Sequence, residues 1–136
     1  MNRLVLIVDD DPDLAYGMAA ELERMNLTAV CALHYEAALG ELEAGNVPRL
    51  ICVDLELPTR SGYELCEHIR GVLGLAHVPV LVTSDSAFPE EMARAEEAGA
   101  DAFMKKPFAL RDFRAYVEVL LDATRLSQPD DCRAEA

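Results

Sequence analysis

Basic side chains are scarce in this sequence: 12 Lys and Arg stand against 25 Asp and Glu, a formal net charge of −13. That balance argues against attraction to nucleic-acid phosphates or an anionic bilayer, so neither direct nucleic-acid binding nor membrane association is expected. No apolar run approaches the length needed to span a bilayer. The N-terminus passes from Met1-Asn2-Arg3 straight into a strand-like run, without the basic and apolar regions of a secretory signal. A cytoplasmic protein is the expectation. Cys31, Cys52, Cys66 and Cys132 lack CxxC spacing, and the first three sit in apolar surroundings where free cysteine packs as a small hydrophobe. His34, His68 and His77 are scattered as well, so no zinc site is expected. With 136 residues the chain fits one domain with a real core, and is too short to add a separate effector domain.

Apolar strand-like runs at about 3 to 9, 28 to 33, 50 to 54, 78 to 84 and 101 to 106 alternate with segments of helical period. Five such βα units predict an α/β fold, with a parallel sheet covered by helices on both faces. The first helix opens at Asp11-Pro12, with aspartate as N-cap and proline at the first helical position; Leu14, Met18, Leu22 and Met25 then recur at helical spacing. Tyr35 to Ala44 forms the second helix. Ser61 caps a third, whose Leu65, Ile69 and Leu73 face inward. Ser84, Asp85 and Ser86 are each candidates to cap a fourth helix, which runs to a left-handed stop at Gly99. Leu110, Phe113, Val117, Leu120, Leu121 and Thr124 share one side of the last helix. The domain is expected to span 1–126. Residues 127–136 are polar and aperiodic, and read as a disordered tail or the start of a linker.

Three strand ends carry chemistry. The run Leu50-Ile51-Cys52-Val53 delivers Asp54 at its carboxyl end, and Leu4 to Val8 delivers Asp9 and Asp10. Phe103-Met104-Lys105 leads to Lys106-Pro107. In open parallel sheets the ligand crevice lies outside the carboxyl ends of the strands, so acid, acid and base converge there. Taken alone, Asp9 and Asp10 fit exposed turn residues as well as metal ligands; Asp54 on the third strand favours the metal reading. The first turn has no G-x-G-x-x-G, and carboxylates repel the pyrophosphate that glycine amides would hold, which argues against nucleotide binding. Carboxylates at 4 Å repel by about 4 kcal/mol per pair at an effective dielectric near 20, so the crevice must hold protons or a cation. Oxygen donors alone suit Mg²⁺ or Mn²⁺.

This set resembles the phosphoacceptor site of response-regulator receiver domains, over residues 3 to about 125. The resemblance implies a flavodoxin-like doubly wound (βα)5 fold of strand order 2-1-3-4-5. It implies that Asp9 and Asp10 bind Mg²⁺ with Asp54 and the Glu56 backbone carbonyl, and that Asp54 takes a phosphoryl group from a phosphohistidine. Counting back from the lysine gives Ser84, rather than Thr83, as the hydroxyl that bonds the phosphoryl oxygen. Lys106, before a proline and often in a cis peptide, neutralises charge, and Phe103 matches the switch aromatic. The partners implied are a histidine kinase or histidine phosphotransfer protein and a downstream target protein. The face of the fourth helix, fifth strand and fifth helix provides the output, and phosphorylation brings homodimerisation. The implied protein is a phosphorelay switch and not a turnover enzyme.

The sequence departs from the family at Asp85, where a small residue is usual, and Glu56 adds a further acid beside the site. Two readings stay open: both acids modulate phosphorylation, making it slow or short-lived, in which case Asp85→Ala speeds labelling, or both are solvated and without effect. The competing expectations are a degenerate receiver acting as a phosphorylation-independent interaction module, and an aspartyl phosphohydrolase. The hydrolase wants aspartate where Asp54-Leu55-Glu56 offers glutamate.

Overall fold

The computed structural model of the chain describes residues 2–127, with side chains described through Asp122. Five strands, β1 (Leu4–Val8), β2 (Thr28–Ala32), β3 (Leu50–Asp54), β4 (Val80–Ser84) and β5 (Ala102–Lys105), form one sheet in the order β2-β1-β3-β4-β5. All four pairings are parallel, with Ile7 beside Cys31 and Cys52, Val53 beside Val82, and Val82 beside Phe103. The helices between them are α1 (Pro12–Arg24), α2 (Tyr35–Glu43), α3 (Gly62–Glu67), α4 (Pro89–Ala98) and α5 (Leu110–Ser127). This is the expected doubly wound fold.

Alternation along each strand sorts the apolar side chains into two cores, because successive residues of a strand point to opposite faces. Leu6, Val8, Ile51, Val53, Val80 and Val82 pack under α2, α3 and α4 with Tyr35, Leu65, Ile69 and Ala95. Val5, Ile7, Leu50, Cys52 and Leu81 pack under α1 and α5 with Met18, Leu22, Phe113 and Val117. Every residue of β3 and β4 is buried, which explains why those strands read as unbroken apolar runs. Cys31, Cys52 and Cys66 are free thiols, and burial pushes Cys66 up to about 12, so it packs as an inert hydrophobe. No helix among the described residues is long and apolar enough to cross a membrane.

Two expectations change. The third helix ends at Glu67 and passes into a π-helical turn, His68–Val72, closed by the Leu73 N–H on the His68 carbonyl at 2.9 Å. Ile69 is buried, and Leu73, half-buried, packs against the same core, so both face inward as expected. The Arg70 guanidinium leaves this turn to bond the carbonyls of Leu75, Val78 and Gly99 and the Asp101 carboxylate, at 2.6 to 3.1 Å. Second, none of Ser84, Asp85 and Ser86 caps α4. The cap position is Phe88, ahead of Pro89, and the Glu91 carboxylate reaches back to accept the Phe88 N–H at 3.3 Å and the Ser86 hydroxyl at 2.7 Å. The glutamate at the third helical position makes the backward half of a capping box, satisfying the Phe88 N–H, while Phe88 has no side chain able to cap the helix. Ser127 is the last residue of α5, and residues 128–136, including Cys132, on which the expected tail falls, lie outside the described residues. So does the side chain of Thr124.

Candidate functional site

Because the sheet is parallel, the carboxyl ends of β1, β3 and β5 open on the same side, and their terminal residues meet there. Asp54 is the last residue of β3; Asp9 follows β1 and Lys106 follows β5. The first turn is shaped by its own carboxylates. Asp9 Oδ1 accepts the Asp11 N–H at 2.9 Å, while Asp11 caps α1 by accepting from the Asp13 N–H at 3.1 Å and the Leu14 N–H at 3.4 Å. This leaves Asp9 buried and Asp10 exposed at the rim. One carboxylate oxygen from each of Asp9, Asp10 and Asp54 lies within 4.8 Å of the others.

Lys106 closes the arrangement. Its Nζ donates to Asp9 Oδ2 at 2.9 Å and to Asp54 Oδ2 at 3.2 Å, from a side chain that is itself mostly buried. The Lys106 N–H bonds the Ser84 carbonyl at 2.7 Å, which fixes the root of the lysine against β4, and its bond to Pro107 is cis. Burial pushes the Asp54 carboxyl up to about 7; the Glu56 N–H on its Oδ1 and the nearby lysine oppose that shift, while Asp9 adds to it. Burial pulls the Lys106 ammonium down, but the hydrogen bond to Asp9 and the charges of both aspartates outweigh it, so its pKa is raised. One ammonium offsets one of three carboxylates. The donor set that remains is hard oxygen, partly open to solvent, and it fits a divalent cation of the Mg²⁺ or Mn²⁺ type.

The other expected residues take different places. Ser84 is fully buried at the end of β4, and its hydroxyl donates to Glu56 Oε2 at 2.7 Å and accepts the Ser86 N–H at 3.2 Å. Glu56 joins the crevice through its backbone, its N–H lying 3.0 Å from Asp54 Oδ1, while its side chain turns across to β4. Asp85 is exposed; the group of Asp85 held at the site is its N–H, 3.0 Å from Glu56 Oε1. Phe103 stands away from the crevice, half-buried on β5 opposite Val82 and packed against the α2–α4 core. Met104 follows it, and Phe103, Met104, Lys105, Pro107, Phe108 and Tyr116 line a groove of about 410 Å³ along β5 and α5.

Two features of the site were not legible as such. The Glu56 side chain bridges β3 to β4, a contact across 28 positions of sequence that no local pattern announces. Gly62, the first residue of α3, packs on the backbone of Asp54: a Cβ there falls inside contact distance of the Asp54 carbonyl oxygen and 2.8 Å from Leu55 Cα. A glycine directly after a helix cap, where a longer side chain would be the better helix former, is the one signal that could have found it.

The chain matches the family described as the response regulator receiver domain over residues 5–118. It is 31% identical over 129 residues to the alkaline phosphatase synthesis transcriptional regulatory protein PhoP of Bacillus subtilis (strain 168), covering 95% of this chain and 52% of that protein. It is 32% identical over 130 residues to the transcriptional regulatory protein KdpE of Mycobacterium tuberculosis, covering 93% of this chain and 56% of the relative. The chain thus spans about half the length of these curated relatives. Among solved structures, a CheY-like response regulator receiver domain protein from Methanospirillum hungatei JF-1 superposes with a TM-score of 0.86 at 25% identity, over 94% of this chain and all of that one. With the acidic cluster and its lysine at the carboxyl edge of a 2-1-3-4-5 sheet, and with this match over most of its length, the chain belongs to the receiver-domain family of two-component response regulators.

Proposed function

We propose that the protein accepts a phosphoryl group on Asp54 from the phosphohistidine of a histidine kinase or histidine phosphotransfer protein. It then signals through a protein-contact face. In the transfer, an Asp54 carboxylate oxygen attacks phosphorus as the P–N bond breaks, and the imidazole leaves with the electron pair and takes up a proton. The observation that carries this reading is the position of the Asp54 carboxylate: nearly buried, 3.2 Å from Lys106 Nζ, and grouped with Asp9 and Asp10. Asp9, Asp10, Asp54 and the Glu56 carbonyl would hold Mg²⁺, which when bound neutralises and polarises the phosphoryl oxygens. Lys106 spreads the remaining charge of the transfer from the opposite side. The Glu56 N–H orients Asp54, leaving one of its oxygens to act as nucleophile.

Ser84 supplies the hydroxyl that bonds the transferred group, and Phe103 repacks in response, altering the α4–β5–α5 face. Exposed Phe88, Met92, Tyr116 and Val119 and the groove beside Phe103 support an output surface on that side, for a downstream protein or a second copy. The protein is a stoichiometric acceptor rather than a turnover enzyme.

The test is incubation with a small acyl phosphate or phosphoramidate and Mg²⁺, read by intact mass. One added phosphoryl group is expected on the unsubstituted protein and none on Asp54→Asn. No addition to the unsubstituted protein would leave the phosphorylation-independent interaction module as the better reading.

A further inference from the structure

Glu56 contacts the phosphoacceptor site twice, from its two ends. Its N–H donates to Asp54 Oδ1 at 3.0 Å, and its carboxylate takes both the Ser84 hydroxyl, at 2.7 Å, and the Asp85 N–H, at 3.0 Å. A serine hydroxyl carries a single proton to donate. In this structure that proton goes to Glu56, and one of the two acceptor lone pairs of the Ser84 oxygen takes the Ser86 N–H at 3.2 Å. The hydroxyl therefore cannot bond a phosphoryl oxygen and Glu56 at the same time. Ser84 is fully buried, so the bond it gives up is not exchanged for one to bulk water.

We infer that Glu56 is a positioning residue that acts through Ser84: its carboxylate latches the hydroxyl in the resting state, and a phosphoryl group on Asp54 must win the hydroxyl from it. This rests on the proposed phosphoacceptor role of Asp54, and adds that the resting and charged states compete for one proton donor. The latch differs from simple repulsion between an acid and an incoming dianion. Repulsion acts whether or not residue 84 carries a hydroxyl, whereas the latch acts only when it does.

A four-protein cycle separates the two. The affinity for trifluoroberyllate, a mimic of the aspartyl phosphoryl group, is measured with Mg²⁺ for the unsubstituted protein, Glu56→Ala, Ser84→Ala and the double variant. A charge-assisted hydrogen bond corresponds to about a tenfold change in an equilibrium constant. Glu56→Ala is expected to tighten the mimic about tenfold more in the Ser84 protein than in Ser84→Ala. The same gain in both backgrounds, or no gain in the Ser84 protein, overturns the latch. Thermal unfolding of the four proteins without mimic reads the resting bond independently: Glu56→Ala should lower Tm more when Ser84 is present, and equal lowering overturns the latch as well. If the mimic binds none of the four, the phosphoacceptor reading fails, and the unfolding cycle still decides whether the resting bond exists.

Discussion

Asp54 and Lys106 set the electrostatics of the crevice. An aspartate in an unfolded chain releases its proton at about pH 4, whereas burial delays release from Asp54 to about pH 7 in the fold. Between these values the folded state binds the extra proton, so stability from this group is fully present below about pH 4 and is lost as pH rises through about 7. Asp54→Asn removes the buried charge. Its Tm is therefore expected to exceed that of the unsubstituted protein by on the order of 5 °C at pH 8, with the difference shrinking toward pH 4. A difference independent of pH contradicts this assignment. Asp85 sits at the opposite extreme, exposed, with its backbone N–H on Glu56. An exposed charge is screened by solvent and salt, so Asp85→Ala is expected to raise the labelling rate of Asp54 by less than about threefold, and the gain should fade at high ionic strength. A large, salt-independent gain would show that the Asp85 carboxylate acts inside the site.

Among the elements, the loop from β3 into α3 controls how accurately Asp54 is presented. Gly62→Ala places a methyl group against the Asp54 carbonyl, backbone that cannot yield by a rotamer change. The expected outcome is a loss of about 1 to 3 kcal/mol in denaturant unfolding and a labelling rate at least tenfold lower. Arg70→Ala provides the contrast. It removes five hydrogen bonds that tie the π-helical turn to the starts of β4 and β5, remote from the strand ends that carry Asp54 and Lys106. Unfolding should shift by a comparable amount while labelling persists; loss of labelling in the folded variant would show that this edge of the sheet also shapes the site.

The same elements show what a linear reading captures. Strands and their carboxyl-end residues were legible because burial on both faces forces unbroken apolar runs, and the sheet's parallel order brings those ends together. The Asp11 and Ser61 caps were legible because each bonds an N–H two or three residues away. The start of α4 was not, because Phe88 at the cap position has no capping side chain and Glu91 accepts the Phe88 N–H from inside the helix. The π-helical turn was also missed, since Ile69 keeps its place in a helical period across it. Glu56 could be noted as an acid near the site, but its bond to Ser84 depends on β3 and β4 lying side by side.

For the molecule as a whole the formal net charge is −13, and at the crevice Lys106 offsets one of three carboxylates. A cation that binds the folded state alone stabilises it by RT ln(1 + [L]/Kd), about 1.4 kcal/mol at ten times Kd. Mg²⁺ is therefore expected to raise Tm by a few degrees, reversibly on chelation, with the effect lost in Asp10→Asn. An equal rise in that variant would place the cation elsewhere on the acidic surface. Family membership accounts for the fold and the arrangement of the crevice. Chemistry at Asp54 is the claim on which the proposed switching depends. It is tested most directly by treating the protein with phosphodonor and Mg²⁺, reducing any acyl phosphate with borohydride, and mapping the product by peptide mass. The account predicts conversion of the residue 54 side chain to the alcohol, only when both phosphodonor and Mg²⁺ were present. Conversion at another carboxylate, or none at residue 54, would contradict it.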